Sequence, residues 1–551
     1  MKFGAYIFRL RFNPLDSPNA RGSFAFTPRY TSSAAGLADG NAFADFLLGY
    51  PSTASGGLGR GEEDGRTTWW HLYAQDDWRV TQTLTVNAGL RYEINQHMQE
   101  TENRLSNIEG NRIVIASDGE GRIHPDANAL LPLIPVPYVT SQDAGYDRSL
   151  FRPSYRRIAP RIGLAWSPGK SEKTVFRAGF GLFFNQWAYN VQTVLMQNLP
   201  FYFNKSVTTA ADTLVPTLST RSILVAPATG SIGGAGIDHD FRTEYAASWS
   251  LGLQRTFGEN WGVDATYFGS RITGADDNTF ENIPTPGPGP VDPRRPNPNL
   301  SGFRNLHWGG WSSYHSLTLK LEKRYSSGLI FNTNYTWSKA IDVASNPGAT
   351  FFETNIPQDV RNRGAEKALS SFDHRHRLVF SSSYQLPLGP GHSWNPSGWP
   401  GKLAEGWSIN GIGTFQTGAP FTVNLPSDNA NIGAGPAQRP DLLRKPNLES
   451  GKTPERWFDT GAFTMPSRFT FGNAGRNIVL ADGLASVDFS VIKNTLLTER
   501  YRVEFRAEIF NLFNHTNFAD APGRIAFTPS FGRFFNAGPS RQMQLGLKFA
   551  F

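Results

Sequence analysis

Four stretches of the chain carry residue types that could do chemistry. In "DHRHR", His374 and His376 stand two apart, so an extended backbone would put both imidazoles on one face, as a pair of metal ligands needs. No third ligand can be located beside them, and the bland reading, two polar residues at the start of a strand, is favoured. "SPGKSEK" holds Gly169, Lys170 and Ser171 in the order of a phosphate loop, but the first glycine of that motif would fall at position 164, which is Leu164. A hairpin turn is the better reading. "GLGRGEEDG" offers glycines with no strand before and no helix after, hence a flexible loop. Asp76 and Asp77 are neighbours in a strand-like stretch, which sends their carboxylates to opposite faces, and no G-x-S-x-G elbow occurs. The chain has no cysteine, which removes disulfide frameworks, cysteine-ligated zinc and thiol catalysis together. No catalytic residue, metal ligand or cofactor is assigned, and an enzyme is not expected.

What remains is a pattern of elements. In "RQMQLGLKFAF", the last residues of the chain, Met543, Leu545, Leu547, Phe549 and Phe551 occupy one set of alternate positions, and Gln544, Gly546, Lys548 and Ala550 the other. That is a strand with one apolar face. The partition recurs in "LTVNAGLRYE", where Arg91 and Glu93 oppose Leu84, Val86, Ala88, Leu90 and Tyr92. It is sharpest in "YRVEFRAEIF", where Arg502, Glu504, Arg506 and Glu508 fall on one face and only apolar residues and Tyr501 on the other. Charges confined to one face mark a boundary between two solvents. "YAASWSLGLQR", "SLTLKLE" and "SVDFSVIK" repeat it.

The connections alternate in length. "VTQT", "SPGKSEK", "FGENWG", "YSSG" and "NTLLTE" read as tight turns, whereas segments such as "TPGPGPVDPRRPNPNLSGF" are long, polar and rich in Gly, Pro and Asn. Several structureless loops above about 15 residues are rare in compact soluble domains and regular in outer-membrane barrels, which pair short periplasmic turns with long extracellular loops. A strand of about 10 residues tilted roughly 40° covers the apolar band of about 25 Å in such barrels. Trp78, Tyr92, Trp166, Trp337 and Trp407 fall near strand ends, where interface aromatics belong, although aromatics favour strands in any case. No run of about 18 apolar residues exists, and mean hydropathy is -0.37, so helical spans are not expected. "KFGAYIFRLRF" is too short in its apolar part for a signal peptide and reads as a strand already under way. The formal charge of +7 forms no basic block, so nucleic acid is not an expected partner. The count is about fifteen strands, with "GSFAFTPRY" as the second, and the first and last then run in the same direction. Arg294 and Arg295 are candidates for meeting outer-leaflet phosphates.

Eight stretches in order, "FADFLLGYPS", "HLYAQDDWRVTQTLTVNAGLRYE", "YTWSKAID", "FDHRHRLVFSSSYQLPLG", "GWSINGIGTFQTGAPFTV", "FGNAGRN", "VDFSVIKN" and "RVEFRAEIFNLFNHTNF", resemble the barrel of the Oar-like branch of TonB-dependent receptors. The resemblance implies an all-β, transmembrane antiparallel β-barrel of 22 strands, of which residues 1–551 would be the C-terminal ~15 strands, with long extracellular loops. It implies that a signal peptide, a carboxypeptidase-regulatory-like domain, a plug and the first strands lie outside this sequence. It further implies uptake of a large or scarce solute across the bacterial outer membrane, with energy passed by TonB through the plug. Outer-membrane lipid and lipopolysaccharide would surround the barrel. Leu545, Leu547, Phe549 and Phe551 would be the signal read by the outer-membrane assembly machinery, and Arg91, Glu93, Arg502, Glu504, Arg506 and Glu508 would face the lumen. Two other readings stay open: a passive pore, and a secreted β-rich carbohydrate-binding or hydrolytic protein.

Overall fold

Alternating apolar residues pair into one long antiparallel meander. The computed structural model describes the chain except at residues 16–20, 29, 34–39, 60–61, 130, 153, 170–172, 186–188, 209–213, 217, 221–232, 241, 346–355, 390, 393 and 434–437. Among the described residues, fourteen long strands form the meander. They are β1 Lys2–Phe12, β2 Gly65–Arg79, β3 Leu84–Asn95, β4 Ile158–Trp166, β5 Thr174–Phe184, β6 Tyr245–Phe257 and β7 Trp261–Glu281. The series continues with β8 Phe303–Ser326, β9 Leu329–Asp342, β10 His376–Gln385, β11 Trp407–Gln416, β12 Leu484–Leu496, β13 Arg502–Phe510 and β14 Gln542–Ala550. Each pairs antiparallel with the next, and three short segments, Gln99–Glu100, Ala235–Ile237 and Ala368–Leu369, bring the sheet to 17 strands. Among the described residues, β1 and β14 are the two edges of the meander.

The "GSFAFTPRY" expectation fails. Ser23–Ala25 pairs with Thr53–Gly59, which pairs with Tyr202–Thr208, in a separate three-stranded sheet. Apolar–polar alternation is the same for any half-buried strand, so the pattern does not say which sheet a strand joins. With fourteen strands instead of fifteen, β1 runs opposite to β14, toward the end that carries the long loops.

Register carries the two faces from strand to strand, with shifts only at Thr273–Asp277 of β7 and Lys323–Ser326 of β8 among the described pairings. Leu72 lies opposite Tyr92, and Tyr92 opposite Ile158. Leu251 lies opposite Tyr267, which lies opposite Leu317, which lies opposite Trp337. The other face aligns Tyr73 with Arg91, and Thr266 with Thr318 and Thr336. Apolar residues of the first face are exposed, among them Leu545 at 75% and Leu547 at 76%. Each would forfeit about 1.5–3 kcal/mol of burial in water, and a patch this continuous requires an apolar solvent. The tight turn between β8 and β9 shows how the short end is closed: Ser327 and Gly328 both have positive φ (49° and 78°), as a two-residue type I′ hairpin demands.

The buried core lies in the long connections. Ile108, Ile113, Ile115, Leu199, Leu300 and Phe303 form one cluster, and Phe421, Val423, Phe458, Phe463, Val479 and Ala526 another. Ser106–Glu109, Arg112–Ile115 and Tyr138–Thr140 make a small sheet within the connection between β3 and β4. The long loops are therefore packed structures, contrary to the expectation that they lack structure, because "NRIVIAS" and "PFTVNL" supply enough apolar side chains to offset ordering. At the short end, the connection from β10 to β11 also carries a helix, Trp399–Ala404. No helix among the described residues is long and apolar enough to cross a membrane, which says nothing of strands.

Candidate inner face and loop cap

The six residues expected to face the lumen, Arg91, Glu93, Arg502, Glu504, Arg506 and Glu508, all lie on the polar face of the sheet, in two separate groups. Arg91 and Glu93 of β3 form an ion pair at 2.9 Å. Beside them His71 of β2, 1% exposed, meets the Asn95 amide oxygen through Nε2 at 2.7 Å. A cavity of about 330 Å³ on this face is lined by Lys2, Tyr73, Gln75, Arg91 and Arg161. Arg502, Glu504, Arg506 and Glu508 sit on β13, where Arg506 Nε donates to Glu504 and Glu504 lies opposite Lys548, with Glu508 opposite Gln544. The structure does not join the β3 and β13 groups into one site.

Burial on this face changes along the strands. Toward the long-loop end, Thr67 (5%), His71 (1%), Ser316 (7%) and Ser338 (9%) are covered, while outward neighbours Trp70 and Trp337 remain open to the surroundings. Toward the short-turn end, Gln75, Asp77 and Asn87 of the same polar face are exposed. His71 is enclosed by Tyr6, Trp69, Arg91 and Asn95 of the strands themselves, while loop residues reach this side where Met98 packs on Trp69 and the His374 carbonyl accepts from Ser338.

Trp78, Tyr92, Trp166, Trp337 and Trp407 all lie on the apolar face. Trp78, Trp166 and Trp407 stand at the short-turn end, and Trp166 stacks on Phe176 at 5.5 Å. Tyr92 and Trp337 each lie eight positions beyond the short-turn end of their strand, at Leu84 and Leu329. That is about 20 Å along the membrane normal at roughly 40° tilt. Leu545, Leu547 and Phe549 project from the same face of β14, with Phe549 stacked on Tyr501 at 5.7 Å and on Phe551 at 6.0 Å.

The histidine pair separates. His374 Nδ1 meets the Thr417 carbonyl at 2.8 Å before β10 begins, whereas His376 pairs with the Tyr335 hydroxyl at 2.8 Å on the outward face. Asp76 pairs with the chain's amino terminus at 2.9 Å, and Asp77 accepts from Asn87 at 2.6 Å. Lys170 and Ser171 lie outside the described residues. Arg294 and Arg295 are committed to loop structure: Arg294 donates to the carbonyls of Pro290 and Thr285, and Arg295, 8% exposed, to Asp292 and Asn282. They are not free to meet phosphates.

The strongest polar contacts are ones the sequence pattern did not indicate. Arg439 holds Glu366 with two bonds of 2.6 and 2.9 Å, both side chains nearly enclosed. Arg476 pairs with Asp342 and donates from Nε to the Glu366 carbonyl at 2.8 Å, and Arg363 pairs with Asp277. These contacts tie together the connections that follow β9 and β11 and the far end of β7. A cavity of about 220 Å³ among them is lined by Asp277, Trp311, Arg363 and Glu366. His307 bridges Asp238 (2.7 Å) and Glu281 (2.9 Å), nineteen residues above the short end of β8 and so well beyond a band of about 25 Å. Burial favours the neutral ring, but the hydrogen bonds to Asp238 and Glu281 outweigh it and push the imidazole up to about 9.

Comparison with known proteins follows the same lines. The family model described as "Outer membrane beta barrel domain" matches residues 1–544. Among curated proteins no sequence matches. Among solved structures, the outer membrane transporter YddB from Escherichia coli is similar with a TM-score of 0.50 and 11% identity, over 100% of this chain and 51% of YddB. FpvA from P. aeruginosa, in complex with a heterologous pyoverdine and iron, scores 0.42 at 9% identity over 89% of this chain and 39% of its own. The ferric-catecholate import receptor Fiu from E. coli scores 0.39 at 12% identity over 90% and 50%. The chain spans about half the length of YddB or less of these proteins, and the likeness to YddB shows the fold: an all-β, transmembrane antiparallel barrel architecture.

Proposed function

The chain belongs to the outer membrane β-barrel domain family, whose place is the bacterial outer membrane, and from that premise we propose that it is part of the barrel of a TonB-dependent, Oar-like transporter. In this reading the chain supplies fourteen of 22 strands, and the remaining strands, a plug and the TonB contact come from sequence outside it. The apolar face meets lipid and lipopolysaccharide, and the C-terminal strand with Leu545, Leu547, Phe549 and Phe551 serves the assembly machinery as an insertion signal. The solute, large or scarce, enters from the loop side. Arg91, Glu93, Arg502, Glu504, Arg506 and Glu508 line the lumen and hold the plug by ion pairs and hydrogen bonds. The secreted alternative does not survive family membership.

One observation carries the choice of an energised importer over a passive pore. Inner-face residues at the extracellular end are enclosed, with Met98 of the connection after β3 packed on Trp69 and the His374 carbonyl accepting from Ser338, and those at the opposite end are open. A pore must be open at both. The test uses the whole gene product that contains this chain, reconstituted in planar bilayers and expressed in cells. The proposal expects no large steady conductance, and growth-supporting uptake that stops when the inner membrane is de-energised. A large unblocked conductance with uptake indifferent to energy would replace the importer by a pore.

A further inference from the structure

Glu63 precedes β2, in the connection from β1, and its N–H donates to the Pro14 carbonyl at 3.2 Å. Its side chain is 3% exposed, and neither carboxylate oxygen has a hydrogen-bond partner among the described residues. Every other carboxylate around it has one. Glu62 takes Arg104 at 3.0 Å, Asp64 takes Arg66 and Arg11, and Glu102 takes Arg104 at 3.2 Å. Glu100, 0% exposed, is the acid whose charge acts on Glu63. Its Oε1 accepts the N–H of Asp64, the residue after Glu63, at 3.3 Å, and its Oε2 accepts the N–H groups of Glu102 and Arg104 at 2.9 and 2.6 Å.

Positive charge here is already shared out. The Arg104 guanidinium stands 3.7 Å from Glu100 but also serves Glu62 and Glu102. Arg148 directs its Nη2 to the carbonyls of Glu100 and Thr101 at 2.6 and 2.7 Å. Two enclosed carboxylates therefore lie in segments joined through the Asp64 N–H, with a fraction of one cation nearby, and a buried charge without a partner is among the costliest arrangements in a protein. The Oδ1 of Asn103, three residues after Glu100, is likewise enclosed and without a donor.

We propose that Glu63 and Glu100 form the carboxylate core of a divalent-cation site of the calcium class, which clamps the connection after β1 to the connection after β3. The donors are all oxygens: both oxygens of Glu63, the Oε1 side of Glu100, and carbonyl or amide oxygens of the same two segments. Hard cations with flexible coordination take such sets, whereas zinc prefers nitrogen and sulfur.

The test is calorimetric titration of CaCl2 into the folded, detergent-solubilised protein after EDTA treatment at pH 7.5, with trypsin digestion of the loops followed in parallel. Wild type is expected to take one Ca²⁺ per chain and to be digested more slowly around residues 62–104 when it is bound. Glu63→Gln, nearly isosteric and relieved of the buried charge, should fold and lose both responses, its affinity falling at least about tenfold with the lost ligand charge. Glu449→Gln, on an exposed loop, should keep both. Absence of a Ca²⁺ response in wild type, or undiminished binding in Glu63→Gln, would overturn the proposal. So would a wild type indifferent to Ca²⁺ alongside a thermally stabilised Glu63→Gln, which would mean that Glu63 is held by a proton alone.

Discussion

Replacing Arg439 by Met should open the loop cap while leaving the sheet intact. Arg439 makes two bonds to Glu366, and the side chains are 4% and 6% exposed. Removing the guanidinium strands a carboxylate in a dry site, at a cost of about 3–5 kcal/mol, or roughly two to four decades in a local opening equilibrium. Glu366→Leu strands the guanidinium instead and should cost as much. The double replacement, which leaves neither charge, should cost far less than the two together, since apolar substitutes for a buried pair are often neutral. Hydrogen exchange is the assay because the pair joins two loops and its loss should appear as local opening. The reporters are the amides of Leu425, bonded to Gln438, and of Leu443, bonded to Ala462. Those of β10 and β11 serve as internal reference and should not change. Single variants that cost under about 1 kcal/mol, or loops and sheet that loosen equally, would refute the reasoning.

Three further outcomes follow from the same geometry. Leu251 lies on the outward face six residues above the short end of β6, about 15 Å into the membrane, so Leu251→Arg should cost about 2–4 kcal/mol in equilibrium unfolding from vesicles and Ser250→Arg, on the polar face, much less. Equal costs would contradict the face assignment. His307 has a folded pKa raised to about 9 against about 6.5 unfolded. Its contribution, on the order of 3 kcal/mol, is therefore fully present below pH 6.5 and lost as pH rises through 9, and His307→Gln should flatten that part of the stability profile. Deleting Phe551, 82% exposed beyond β14, should slow assembly into the outer membrane without weakening the folded protein, as pulse-chase heat-modifiability measurements would show.

How much was legible depends on what each residue answers to. "YRVEFRAEIF" reads as a strand over 501–510 and Arg502–Phe510 is one, because its charges answer only to which solvent a face meets. "GSFAFTPRY" alternates just as well and joins another sheet, since alternation records half-burial and not the partner. Ile113, Val114 and Ile115 are all enclosed in succession, the mark of a strand covered on both faces, and that run was the available signal for a packed loop. Glu366 and Arg439 are 73 residues apart and Asp342 and Arg476 are 134 apart. Nothing local distinguishes them from solvated charges. The sequence thus conveys each strand's two environments, while the contacts that assemble the cap depend on where the loops return.

The most direct test of a sheet with lipid on one side and water on the other uses the absence of native cysteine. Single cysteines placed one at a time along β6, from Ala246 to Gln254, are spin-labelled in the membrane-inserted protein, and collisions with oxygen and with a water-soluble nickel chelate are measured. The account predicts a period of two with opposite phase: oxygen maxima at 247, 249, 251 and 253, and nickel maxima at the even positions toward the short-turn end. Equal nickel access at odd and even positions would contradict it.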